Sequence, residues 1–249
     1  MPRASRTWPG RGQLAAVLCW AALALSARAG ARFEDSIAQR TLPCATCHGK
    51  QGRAAPDGYY PRIAGKPAGY LLNQLRNFRD GRRHYGLMAA MVDPLSDAYL
   101  QEIANHFAAL ELPYPAPQPP QVSGADLVRG EALVRRGDTA RQLPACVSCH
   151  GERLTGVLPH VPGLLGLPRD YLNSQLGAWK TGQRRAHAPD CMAQLVRRLS
   201  DGDISAITGW LAAQPVPTDA RPSAELPVRQ AGPGAMSCGS APELGGGPP

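Results

Sequence analysis

The 249-residue sequence offers no convincing run of alternating strand residues, which argues against a sheet-built domain. It also lacks an apolar stretch fit to cross a bilayer: the run from Leu14 to Leu25 falls short of the roughly 20 residues that a spanning helix needs. Acidic residues are missing before position 30, whereas Arg3, Arg6 and Arg11 precede the apolar run and Ala27-Arg28-Ala29 closes it. A basic start, a short apolar core and an Ala-x-Ala close predict a secretory signal peptide over residues 1–29. Cys19 lies inside it, after Ala16-Val17-Leu18, a poor lipoprotein signal. Without the four arginines of that leader the formal net charge of +8 falls to +4, and the sequence contains no nucleic-acid motif. The basic balance is therefore no argument for a nucleic-acid partner.

What is present occurs twice: Cys44-Ala45-Thr46-Cys47-His48 and Cys146-Val147-Ser148-Cys149-His150. Zinc ribbons place their cysteine pairs about 15 to 20 residues apart, and here 99 positions separate Cys47 from Cys146. A thioredoxin-type redox pair sits in a βαβ unit and does not require the following His. Cys-x-x-Cys-His is the spacing that attaches a haem: two thiols one helical turn apart bond its two vinyl groups and the next residue faces the iron. Two covalently bound haem c groups are expected, tethered by Cys44, Cys47, Cys146 and Cys149, with His48 and His150 on the irons. Attachment of this kind is completed outside the cytoplasm in bacteria, so the motifs and the leader both point to the periplasm.

The likeness between the halves extends past the motifs. Pro61-Arg62-Ile63-Ala64-Gly65 has its counterpart in Pro162-Gly163-Leu164-Leu165-Gly166, and Tyr70-Leu71, Gln74-Leu75, Phe78 and Gly81 match Tyr171-Leu172, Gln175-Leu176, Trp179 and Gly182 without a gap. This is an internal duplication. Helices are predicted over 70–80 and 171–181, stopped by Gly81 and Gly182. Leu95-Ser96-Asp97 and Leu199-Ser200-Asp201 each open another, with the serines as N-caps and Ser200 to Asp203 as a capping box. These helices would bury Leu100, Ile103 and Phe107 in one half and Ile204, Ile207 and Leu211 in the other. A short helix over 33–40 leads into the first motif, and a longer one over 125–136 opens the second half. The fold class is all-α: a first domain over 30–111, a Pro-rich extended linker over 112–123, a second domain over 124–214 and a disordered Pro/Gly-rich tail over 215–249.

A sixth ligand decides between carrying electrons and binding substrate. The candidates are Met88, Met91 and His84 in the first half, and Met192 and His187 in the second. Met192 precedes Leu199 by seven residues, and Met88 precedes the matching Leu95 by seven, so the duplication selects Met88 and Met192. Met91 aligns with Leu195 and is expected in the core; His84 and His187 follow Arg-rich turns and are expected at the surface. A neutral thioether raises the reduction potential relative to a second imidazole. Pro61 and Pro162 are placed to offer a carbonyl to the other ring nitrogen of each motif His. Most of Arg79, Arg82, Arg83, Arg184, Arg185, Arg197 and Arg198 read as a solvated face, with haem propionates or a docking partner as further roles. Cys191 and Cys238 are left unassigned: an oxidising compartment would allow a disulfide between them, but one abuts a ligand and the other falls in the tail, so the bond is not favoured.

From Pro43 to Ala212 the chain resembles the di-haem cytochromes c of the cytochrome c4 family. The likeness rests on both haem motifs, the Pro-x-Ile/Leu-x-Gly segments, the Tyr-Leu...Gln-Leu helices and Met88-Ala89-Ala90-Met91-Val92-Asp93-Pro94-Leu95-Ser96-Asp97. It implies two tandem cytochrome c domains about a pseudo-two-fold axis with their propionate edges close. It implies a periplasmic electron carrier, not an enzyme, loosely associated with the membrane and serving redox partners: a membrane cytochrome complex, a terminal oxidase or a periplasmic dehydrogenase. The short first helix, the Pro-rich linker, Cys191 and the extra tail depart from the family pattern. They leave room for a dedicated haem subunit of a dehydrogenase complex. The reading from another class is a di-haem peroxidase or sensor with one open iron, against which the paired methionines argue.

Overall fold

The computed structural model describes residues 34–55, 58–227 and 236–245, so the leader lies outside the described residues. Two compact units are distinguished, residues 1–40 and 41–249. The first contributes a single described turn of helix, α1 (Ile37–Arg40), shorter than the predicted helix. Among the described residues no helix is long and apolar enough to cross a membrane.

In the second unit, α2 (Leu42–His48), α3 (Ala68–Arg79), α4 (Gly86–Val92) and α5 (Asp97–Ala108) come from the first repeat. The second supplies α6 (Gly124–Arg136), α7 (Val147–His150), α8 (Arg169–Lys180), α9 (Cys191–Val196) and α10 (Asp201–Ala212). Among the described residues the strands are a two-residue antiparallel pair, β1 (Gly156–Val157) with β2 (Val161–Pro162), so the all-α class holds. Helix α3 packs on α4 and α5, and α10 packs on α6 and α8. The residues expected in the core are buried: Leu100, Ile103 and Phe107 on α5, and Ile204, Ile207 and Leu211 on α10.

The ends of these helices follow from local chemistry. Ser96 Oγ accepts the Tyr99 N–H, and Ser200 Oγ accepts that of Asp203, whose carboxylate in turn accepts the Ser200 N–H to complete a capping box. Gly81 and Gly182 stand at φ of +70° and +76°, a left-handed turn that ends α3 and α8 at matching points. Between the repeats the linker forms neither helix nor strand, in keeping with its prolines. It is also fastened: buried Arg62 donates to the Pro113 carbonyl (3.0 Å) and lies over the Tyr114 ring, and the Gln118 N–H reaches the Ala212 carbonyl.

Three expectations are corrected: the disordered tail, the unfavoured Cys191–Cys238 bond and the core position of Met91. Residues 215–227 and 236–245, read as part of a disordered tail, pack on the second half. Ser223 pairs with Gly156 and Leu158 through backbone hydrogen bonds, and Cys238 and Ala241 are buried against Val157 and Val161. Cys238 is disulfide-bonded to Cys191. Composition gave the wrong answer because the segment's order comes from that crosslink and a few apolar contacts rather than from its own propensity. Met91, expected in the core, is 49 % exposed, whereas Val92, about 100° further round α4, is buried.

Asp203 joins a buried carboxylate to Arg129 and to Arg141 (2.7 Å) as well as to the cap. Burial alone would raise its pKa, but these donors outweigh it and hold the group well below the carboxylate range. Since the unfolded value is about 3.9, the stabilisation is complete above that value and is lost progressively as the pH falls below it toward the lower value of the folded state. Asp203→Asn is expected to cost about 2 kcal/mol at neutral pH, with the gap to the parent closing in acid, as thermal unfolding across pH will show. Gly130→Ala is expected to part α6 from α10, because an added Cβ would collide with the Ala206 carbonyl; the cost should reach a few kcal/mol.

Candidate functional site

Each motif ends on a buried histidine at the C-terminus of a short helix, His48 on α2 and His150 on α7. The spacing of three puts both cysteines one turn apart, and all four thiols are half-buried and unbonded. Burial pushes the Cys146 thiol up to about 12, and it raises Cys44 and Cys149 as well, so these groups stay protonated at neutral pH.

The two proline carbonyls lie where the sequence placed them. His48 Nδ1 is 2.8 Å from the Pro61 carbonyl and His150 Nδ1 is 2.7 Å from that of Pro162. A carbonyl can only accept, so Nδ1 carries the proton and the Nε2 lone pair is left free to ligate. Burial lowers the pKa of both imidazoles against the upward pull of the carbonyls, which keeps them neutral.

In the second half Cys146, Cys149, His150 and Met192 line one apolar cleft of about 1510 Å³, its open mouth included. Trp179 lines it too, and its indole Nε1 is buried without a hydrogen-bond partner among the described residues. The first half also contributes: Lys66, Tyr70 and Gln74 reach this same cleft. Lys66 is buried with Nζ 3.4 Å from the Gly163 carbonyl, and burial lowers its pKa. In the first half Met88 sits half-buried on α4. The Tyr60 ring meets His48 edge-on on one side and Tyr85, at the start of α4, on the other. His84 is exposed as expected; His187 is half-buried.

The arginines depart most from expectation. Arg184, read as part of a solvated face, is 5 % exposed. It donates to Gln175 on its own helix and to Gln74 on the other half, while Arg83 does the reverse, to Gln74 (2.9 Å) and Gln175 (2.6 Å). Tyr70 and Tyr171 are the second cross-acceptors, and each guanidinium lies over its own ring, Arg83 on Phe78 and Arg184 on Trp179. A backbone bridge pairs the two arginines directly. Among the described residues neither meets a carboxylate. Burial and the neighbouring Arg83 lower the pKa of Arg184. Burial would raise that of Tyr70, yet Arg184, Arg83 and Lys66 pull it below its ordinary value. The duplication carried a signal for this cluster: Tyr70, Gln74 and Arg83 repeat at one spacing as Tyr171, Gln175 and Arg184.

These features fit a haem. The apolar cleft suits the macrocycle, the neutral imidazoles suit the iron, and the orphan indole N–H and the two arginines lacking a counter-anion suit propionates. Arg184→Gln is therefore expected to lower the haem potentials by tens of millivolts, since loss of a buried cation favours the ferric charge; redox titration of the holoprotein measures it.

No family model matches the chain. It is 40% identical to a thiosulfate dehydrogenase electron acceptor from Thiomonas intermedia, over 70% of this chain and 79% of that protein. It is 32% identical to cytochrome c4 of Pseudomonas aeruginosa, over 68% and 82%. Among solved structures, reduced cytochrome c4 from Pseudomonas stutzeri aligns with a TM-score of 0.61 at 30% identity, covering 70% of this chain and 94% of the other. Thiosulfate dehydrogenase (TsdBA) from Marichromatium purpuratum gives 0.63 at 31%, covering 71% of this chain and 37% of that longer one.

Proposed function

Since the chain belongs to the cytochrome c4 family of di-haem cytochromes c, we propose that it takes electrons from a periplasmic thiosulfate dehydrogenase and passes them to a respiratory acceptor. It is an electron carrier with two covalently bound haem c groups, not an enzyme. Cys44 and Cys47 tether one haem, Cys146 and Cys149 the other; His48 with Met88, and His150 with Met192, are the axial pairs. On this reading the two haem domains span 30–111 and 124–214, joined by the linker, and the leader over 1–29 directs export and is then cleaved.

The observation that carries this reading is the matched His–Pro carbonyl geometry in both halves. When bound, the haem irons take up and release single electrons. The chain holds each imidazole proton at Nδ1, which raises the basicity of Nε2 as an iron donor, and would offer a soft thioether to the same iron; the thioether and the apolar lining of the second cleft are the features that favour the reduced state. A dehydrogenase donor is favoured over a general carrier role by two relatives named as its electron acceptor, at 40% and 34% identity. General cytochromes c4 stand at 31–32%.

In the oxidised holoprotein the far-red band from Met sulfur to ferric iron is expected at both haems. Met88→Ala and Met192→Ala should each remove half of it, and a band that survives both sinks the ligand assignment. Thiosulfate with a thiosulfate dehydrogenase should reduce both haems within the mixing time of a turnover assay; a chain reduced only by quinol-linked complexes would instead be the general carrier.

A further inference from the structure

The second half holds three more residues between Arg184 and Met192 than the first holds between Arg83 and Met88. That insertion is where the tail is fastened. Cys191, the residue before Met192, bonds to Cys238. Around the bond the Gly239 N–H donates to the Pro189 carbonyl (2.9 Å), and the His187 N–H donates to Ser240 Oγ (3.1 Å). A Cβ at Gly239 would strike the Ala188 carbonyl, so the approach admits glycine only. The far side of the segment is held as well. Asn73, on α3 of the first half, donates to the Ser240 carbonyl (3.0 Å), and His160 donates to the Glu243 carboxylate (3.0 Å).

Met236, Cys238, Ser240, Ala241 and Leu244 thereby form part of the wall of the cleft that contains His150 and Met192. Asp190 completes the fixing of the ligand helix: one carboxylate oxygen accepts the Ala193 N–H (3.0 Å) and the other the Ala186 N–H (2.7 Å). From this we propose that residues 236–245 are a covalently fastened clip that positions Met192 and closes the second haem cleft to external ligands. Cys191 and Cys238 are positioning residues, acting through Met192 rather than on the iron. The inference rests on the assignment of Met192 as sixth ligand.

Three links support the arrangement physically. A six-residue helix such as α9 has little stability of its own. A crosslink at its first residue therefore holds the backbone from which the side chain of the next residue, Met192, extends. The crosslink also retains a segment whose composition would otherwise leave it unordered. Finally, a wall of Met236, Ala241 and Leu244 keeps the cleft apolar, which hinders entry of a hydrated anion.

The test is cyanide binding to the ferric, two-haem protein by stopped flow, with Met192→Ala used to identify the second-haem phase. In Cys191→Ser/Cys238→Ser that phase is expected to quicken about tenfold or more, the first-haem phase staying as it was, with a weakened far-red band. An unchanged second phase overturns the proposal, and so does equal acceleration of both phases, which would report general loosening. If Met192→Ala leaves the far-red band whole, the ligand assignment itself has failed. The unaltered protein gives the same comparison without substitution: its disulfide is opened with a water-soluble phosphine, the thiols are capped with iodoacetamide, and the haems are reoxidised before mixing.

Discussion

The reciprocal reach of Arg83 and Arg184 is the constraint on which the relation of the two repeats depends. Each guanidinium is delivered by the turn after a twelve-residue helix and finds its acceptors on both halves. The exchange works only if both helices stop at the same point, because one extra residue would swing the side chain by about 100° around the axis. Gly81 and Gly182, at matching positive φ, set that point. The close approach of two cations in a partly dry interface is costly. Ring stacking, glutamine oxygens and two phenols offset some of it, and the downward pull on Tyr70 is the same field seen from the acceptor's side. Neither arginine meets a carboxylate among the described residues, so the pair would suit an anion, and haem propionates are anions that two bound haems would supply.

Much of this was legible because duplication turns a weak signal into a strong one. A single Met or a single Pro in a helical sequence carries little information; the same residue at the same offset in both repeats carries a good deal. The helix limits, the Ser96 and Ser200 caps and the carbonyls of Pro61 and Pro162 were readable on that ground. Tyr70, Gln74 and Arg83 were repeated just as faithfully, yet the arginines read as solvated because charge is ordinarily a surface property. Recognising a buried guanidinium requires knowing which helices face each other, and no periodicity within one helix reports that. Lys66 escaped for the same reason: it is buried by the other half's Gly163 loop.

The tail was misread for a different physical reason. Composition reports whether a segment can order itself, and residues rich in Pro, Gly and Ala cannot bury enough apolar surface to do so. It does not report whether the segment is ordered by something else. Here one crosslink, three backbone or serine contacts and a His–Glu pair supply what propensity lacks.

The two haem environments differ where the repeats differ, and only there can the cause lie. Helices α3 and α8 share the tyrosine and glutamine that meet at the interface and differ at Phe78 against Trp179, and both imidazoles have the same partner at the same distance within 0.1 Å. What the second half has in addition is the three-residue insertion before Met192, the tail that bonds to it, and the first half's Lys66, Tyr70 and Gln74 in its cleft. The first half instead shows apolar side chains to solvent on and near its ligand helix, Leu87 and Met91. Reduction potential responds to axial ligand, hydrogen bonding and burial. With the imidazole partner equal, what differs is the lining of the second cleft, the Trp179 indole N–H and Lys66 within the repeats and the fastened tail outside them, so any difference in potential between the two haems traces to these groups.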